Sequence, residues 1–169
     1  NKGSEEDLLR IFNSYTDLPN VFRLVQTILT ARQQLPFETT DQLAKLCEPL
    51  AQRGKDHKYI AQVFQALRIE ANDELGAITR ALPIALDLIT VGGRVVVMSF
   101  QSLEDRIVKE IFVDRTTSKT PRNLPVDLPE FAAKFVMVSK SGETPNDQEL
   151  ADNPRSASVR LRAIEKVAA

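Results

Sequence analysis

The sequence predicts an α/β protein that opens with an all-helical unit. Three observations carry that prediction. Apolar residues recur at helical spacing through about the first fifty-five positions. Arg94-Val95-Val96-Val97-Met98-Ser99-Phe100 is an unbroken strand-forming run of the type buried in a sheet. Helical patterns flank that run on both sides, and the order helix, strand, helix indicates an α/β sheet. The composition is globular: 169 residues, 43% hydrophobic and 27% charged, with 22 basic and 23 acidic side chains and a net charge of −1. That length buries roughly 70% of the chain's surface, enough for a real core. No apolar run approaches the roughly 18–20 residues of a membrane span. A single cysteine, Cys47, excludes an internal disulfide framework and a multi-cysteine zinc site. A single histidine, His57, excludes a histidine-rich metal centre, so no metal is expected. The balanced charge gives no general sign of nucleic-acid binding.

The first unit, taken as residues 1–55, is built from three short helices. Ser4 supplies an N-cap hydroxyl, and Glu5, Glu6 and Asp7 complement the positive end of the helix dipole. Leu8, Leu9, Ile11, Phe12 and Tyr15 follow at helical spacing until Asp17-Leu18-Pro19-Asn20 breaks the run. Val21, Leu24, Val25, Ile28 and Leu29 mark a second helix. Thr39-Thr40-Asp41-Gln42 fits a capping box and opens a third, which Gln52-Arg53-Gly54-Lys55 closes. Asn1-Lys2-Gly3-Ser4 leads straight into helix with no initiator Met, so the start reads either as an expression scar or as a cut through a longer protein.

Residues 56–169 form the second unit. A long helix is expected from Asp56 to Gly76, and another through Ile78, Leu82 and Ile89 with a kink at Pro83. Val91-Gly92-Gly93 turns into the strand Arg94–Phe100, a pattern common to late strands of a Rossmann-like sheet. Ser102-Leu103-Glu104-Asp105 caps the next helix. Asp114 to Pro129, with Pro121, Pro125 and Pro129, reads as a long surface loop. Lys134–Lys140 is expected as a second strand, Asn146–Ala151 as a short helix, and Ser156–Val167 as a basic-faced terminal helix. Two strands make no stable sheet alone, so the edge of Arg94–Ser99 should be covered, by the late strands pairing together or by a second copy in a homodimer.

Ser99, Phe100 and Ser102 lie just beyond the carboxyl end of the first strand, where open α/β sheets put their ligands. Against this, Ser102 can be an N-cap alone, and Glu104 and Asp105 mere dipole complements. Arg68 and Asn72 lie on the polar side of an apolar-faced helix, a pattern that solvation alone explains. Arg155, Arg160, Arg162 and Lys166 cluster in sequence and suit phosphates, although on charge alone a solvated helix headed by Ser156 is the better account. Neither a Ser–His–Asp arrangement, a P-loop nor a GxGxxG turn is present.

Three segments, in order, go beyond a generic α/β pattern: Phe64-Gln65-Ala66-Leu67-Arg68-Ile69-Glu70-Ala71-Asn72-Asp73-Glu74-Leu75; Gly92-Gly93-Arg94 through Ser102-Leu103-Glu104-Asp105-Arg106-Ile107-Val108-Lys109; and Asn153-Pro154-Arg155-Ser156-Ala157-Ser158 followed by Leu161-Arg162. Together they resemble the carboxyl-terminal half of the bacterial 16S rRNA (cytosine-N4)-methyltransferases, the MraW/RsmH family, over essentially the whole chain. The resemblance implies a partial Rossmann-like class I methyltransferase core, its late strands only, with an all-helical inserted domain of substrate-recognition type. It implies S-adenosylmethionine-dependent methylation of a cytidine amine in 16S rRNA or the small ribosomal subunit, in the cytoplasm and away from membranes. Arg68, Asn72, Ser99, Phe100, Ser102, Asp105, Arg106 and Arg155 are the candidates for the substrate side. The loop Asp114–Pro129 and the Arg155–Lys166 cluster are candidates for rRNA backbone contacts. No catalytic residue is assigned.

The family's glycine-rich cofactor turn lies upstream of everything in this sequence, so S-adenosylmethionine is expected to be held mainly by an absent amino-terminal half and the isolated chain to be inactive. Gln101 stands where the family has His, Asp56 to Gln62 replaces a His-Pro-Ala-x-Arg form, and Tyr15 to Asn20 lacks Gly-Glu-Glu-Arg. These departures fit either a divergent branch or a copy of weakened activity. The alternatives are a non-catalytic RNA- or protein-binding module and a helical scaffold joined to an unrelated sheet.

Overall fold

The computed structural model describes residues 1–121, 128–139 and 141–168. They divide into two compact units, Asn1–Glu74 and Leu75–Ala169.

The first unit is helical: α1 (Glu5–Tyr15), α2 (Val21–Gln34), α3 (Thr40–Cys47) and α4 (Asp56–Asn72). Both expected capping signals form. Ser4 Oγ accepts from Asp7 N while Asp7 accepts from Ser4 N, each at 3.0 Å, and Thr39 and Gln42 make the same reciprocal pair at the head of α3. Phe12, Leu24, Val25, Cys47, Val63 and Ala66 are fully buried in one core. Tyr59, Val63 and Ala66 of α4 share that core with α1 and α2, so the helical unit runs to Glu74, beyond the boundary expected at residue 55. The long helix also ends sooner than expected. Asp73 takes a left-handed conformation (φ 51°, ψ 41°) and donates its N–H to Glu70 and Ile69, so the break falls there and not at Gly76.

In the second unit, α5 (Glu74–Leu88) carries Pro83 in its interior and buries Leu82 and Leu86. Gly92 (φ +82°) donates to Lys166 O at 2.7 Å, and Gly93 packs so tightly that a Cβ would stand 2.9 Å from Thr90 O. This turn delivers the chain into β1 (Arg94–Ser99), followed by α6 (Ser102–Thr116), a 3-10 turn at Pro129–Phe131, β2 (Phe135–Met137), α7 (Asp147–Asp152), a second 3-10 turn at Pro154–Ser158, and β3 (Arg160–Lys166). The sheet order is β1-β3-β2, antiparallel throughout.

The segment Ser156–Val167, expected as a basic helix, is therefore a 3-10 turn and the central strand. Arg, Leu, Ala, Glu and Lys favour helix locally, but that preference is worth only tenths of a kcal/mol per residue. The strand gains a hydrogen-bonded neighbour on each side, with Val97 opposite Arg162 and Met137 opposite Ile164. The two expected strands, β1 and β2, do not pair with each other; each pairs instead with this third strand, which covers one edge of β1. The expected loop starts later than Asp114, because α6 continues to Thr116; Pro125 and the rest of 122–127 lie outside the described residues. The strand expected at Lys134–Lys140 is shorter, although Val138 N still bonds Ala163 O at 2.9 Å; Lys140 lies outside the described residues.

Val95, Val97, Phe135, Met137 and Ile164 face Leu82 and Leu86 of α5 and Val108 and Phe112 of α6. The opposite face is not buried as the β-branched run implies: Val96 is 58% exposed and Met98 54%, with Val136 exposed beside them. Among the described residues, β1 has a strand partner on one edge only.

Candidate functional site

The carboxyl end of β1 and the start of α6 form one junction. Ser99 ends the strand as a buried polar residue, and Phe100 turns outward, 60% exposed. Glu104 then reaches back, its carboxylate accepting from Phe100 N at 3.0 Å and Gln101 N at 3.2 Å. Gln101, not Ser102, is thus the capping residue; Ser102 is the first helical residue, exposed and free of capping duty. The Oε1 atom of Gln101 is buried and has no hydrogen-bond partner among the described residues.

Asp105, in the first turn of α6, is gripped by Arg162 of β3 through two parallel bonds, Nε to Oδ1 at 2.6 Å and Nη2 to Oδ2 at 2.9 Å. The pair is largely shielded from water. The Arg162 hydrogen bonds hold the Asp105 carboxyl below its ordinary range, outweighing burial, which acts the other way; the same contact raises Arg162. Both carboxylate oxygens are spent, so Asp105 fixes α6 to the sheet and is no free base. Gly142 lies over the guanidinium, where a Cβ would approach Arg162 Cζ to 3.1 Å. The sequence reads Arg162 only as one of a basic cluster suited to phosphates; its commitment to Asp105, 57 residues away, has no local signal because its own segment reads as helix.

Five of the candidates, Ser99, Phe100, Ser102, Asp105 and Arg106, share this junction. Arg68 and Asn72 belong to the helical unit, where both meet Glu74: Arg68 Nε lies 2.9 Å from Oε1 and Asn72 Nδ2 donates to it at 3.2 Å. The Asn72 hydrogen bond first, then Arg68, keep Glu74 below the usual carboxylate range. Glu74 organises this pair, and its place two residues beyond Asn72 was the available signal. Arg155 sits exposed in the 3-10 turn, its N–H bonded to Asn153 Oδ1 at 3.2 Å. The expected basic helix face does not exist. Arg162 is spent on Asp105, Lys166 Nζ donates to Ile89 O at 2.9 Å near the end of α5, and Arg160 donates to Val159 O.

His57 is exposed, and Cys47 is sealed in the helical core, where burial pushes its thiol up to about 11. No group of metal-ligating side chains occurs among the described residues, and no described helix is long and apolar enough to cross a membrane. The strand-end residues do not fit a nucleoside-methionine cradle. Gly92 and Gly93 stand at the amino end of β1, whereas its carboxyl end continues as Phe100-Gln101-Ser102, with no glycine to let backbone approach a ribose.

Residues 1–167 match the model of a family described as the MraW methylase family. The chain is 41% identical to a ribosomal RNA small subunit methyltransferase H of Nocardia farcinica, covering 100% of this chain and 53% of that protein. It is 45% identical to the protein of the same name from Corynebacterium diphtheriae, over 98% of this chain and 50% of the relative. A third, from Corynebacterium glutamicum, is 42% identical over 99% of this chain and 51% of the relative. The chain thus spans about half the length of the curated relatives it matches. With a family match that runs through both units and identities of this size, the chain belongs to the MraW methylase family.

Proposed function

We propose that this chain is the carboxyl-terminal part of an S-adenosylmethionine-dependent methyltransferase acting in the cytoplasm on the N4 amine of a cytidine in 16S rRNA. The observation that carries the reading is the 41–45% identity to proteins named ribosomal RNA small subunit methyltransferase H along nearly the whole chain. The architecture is compatible with it. A sheet bare on one face, whose first strand keeps an open edge among the described residues, is what the late strands of a larger Rossmann-like sheet would present. The helical unit would be the inserted, substrate-recognising part.

The exocyclic amine of cytosine is a weak nucleophile because its lone pair is delocalised into the ring. Alignment and electrostatic support as charge develops therefore supply most of the catalysis. A base in structured RNA must also leave its stack to be reached. In this reading the outward Phe100 offers a stacking face for the extruded cytidine, with the Ser99 and Ser102 hydroxyls beside it to orient the base. Asp105 acts as a positioning residue, holding that junction on β3 through Arg162. Arg106 and Arg155, both exposed, take phosphates, and Arg68 and Asn72 serve the substrate from the helical unit. The groups that hold the methyl donor belong to the part of the relatives' length outside this chain.

The test is methyl transfer to 16S rRNA by the protein extended to its relatives' full length, with digestion to nucleosides and mass spectrometry. N4-methylcytidine should form, and Phe100→Ala should lower kcat/KM by about tenfold or more, the range of stacking lost per base. Product at another base or atom overturns the cytidine assignment. RNA binding without any methyl transfer replaces the enzyme with a non-catalytic binding module.

A further inference from the structure

Where the α1–α2 turn meets the start of α4, the helical unit carries an open cavity of about 340 Å³. Its walls are built rather than left over. Asn20 spends both ends of its amide there, donating to Leu50 O at 2.9 Å and accepting from Tyr59 Oη at 2.9 Å, which locks the turn against α4. Leu18, Pro19 and Leu50 supply the apolar surface. Gln62 accepts from Asp17 N at 3.3 Å and Gln52 accepts from Lys55 Nζ at 3.0 Å, so both amides turn their oxygens to the protein, and their NH₂ groups have no hydrogen-bond partner among the described residues. Lys55 and Lys58 stand exposed at the rim, and Lys58 has no ion-pair partner among the described residues. Asp17 is the single acid of the lining.

The ligand this lining suits has a flat apolar face, an edge rich in hydrogen-bond acceptors and a negative charge, the profile of a nucleotide. Amide side chains read base edges, lysines take phosphates, and RNA readers accept bases that have left their stack. In the cavity of the second unit beside α6, two of the three cations are already committed, Arg115 to Asp87 and Lys119 to Asp114.

We propose that the α1–α2/α4 cavity seats one unstacked nucleotide of the RNA substrate, separate from the cytidine that is methylated, with Lys55 and Lys58 on its flanking phosphates. This rests on the rRNA reading above, and it makes the helical unit an RNA-gripping element in its own right.

The experiment titrates a fluorescein-labelled 16S rRNA hairpin with this chain over a series of KCl concentrations. A Lys55→Ala/Lys58→Ala double variant should bind more weakly and lose roughly 1.4 from the slope of log affinity against log salt, about 0.7 for each single-strand phosphate contact removed. Lys45→Ala, a lysine of α3 outside the cavity that pairs with Asp41, should leave the slope unchanged and so controls for net charge. Both rim lysines are exposed, and far-UV circular dichroism checks that the fold survives. RNA binding with an unaltered slope in the double variant overturns the cavity assignment and leaves the methyltransferase reading intact. Free cytidine monophosphate binding as tightly as the hairpin also overturns it, since the cavity would then serve a free nucleotide. No binding of the hairpin overturns it as well, and the methyl-transfer assay then decides independently whether the rRNA reading falls too.

Discussion

Asp105 gives both carboxylate oxygens to the Arg162 guanidinium. Replacing it with Asn strands a shielded cation, so Asp105→Asn should destabilise the second unit by about 3 kcal/mol in urea unfolding. A compensating Arg162→Met in the same chain should recover most of that loss, because removing both charges removes the desolvation cost as well. Titration offers a second residue-level check. Cys47 is held protonated, its thiol pushed from an ordinary 9.0 to about 11 by burial, and burial shifts Tyr59 in the same direction. The unfolded chain therefore ionises first as pH rises, and stability present below about pH 9 should drain away between pH 9 and 11, as thermal melts of the helical unit would record. Residue identity alone revealed Asp105 as an acid in a helix's first turn. It could not reveal that this acid is spent on an arginine 57 positions away, because that pairing exists only once a sheet brings β3 beneath α6.

Elements were legible wherever their signal was local. The N-cap at Ser4, the box at Thr39, the turn at Asp17–Asn20 and the strand Arg94–Ser99 are each written within a few residues, and each forms. Two signals failed for identifiable reasons. Asp73 ends α4 by adopting a left-handed conformation that glycine usually supplies, which drew attention to Gly76 instead. Ser156–Val167 carries helix-favouring residues, yet its conformation is decided by two neighbouring strands distant in sequence, and no local pattern encodes those. The junction before β1 lends itself to a direct test. A methyl group on Gly93 would stand 2.9 Å from the Thr90 carbonyl, which is backbone and cannot swing aside. Gly93→Ala should therefore cost about 1–3 kcal/mol, read as a lower urea midpoint at constant slope.

The molecule has two cores and an uneven distribution of chromophores. It contains no tryptophan, and its two tyrosines, Tyr15 and Tyr59, both lie in the helical unit. Tyrosine fluorescence thus reports on one unit alone, while far-UV circular dichroism reports on both. Denaturation followed by the two signals should give transitions that do not superimpose; superimposable curves would mean that the two cores unfold as one cooperative body. The division into a helical part and a sheet part was visible in the change of pattern near Val91, but its boundary at Glu74 was not, because α4 declares its allegiance only through the core it helps to fill.

The placement of β3 also sets the order in which the chain can fold as it is made. Neither β1 nor β2 touches the other in the ladder; each is zipped to Arg160–Lys166, the strand translated after both. A nascent chain emerging from the ribosome can close its helical bundle early, from contacts near in sequence. Val95, Val97 and Phe135 lack their ladder partner until the central strand clears the exit, leaving the sheet half the more exposed to aggregation during synthesis.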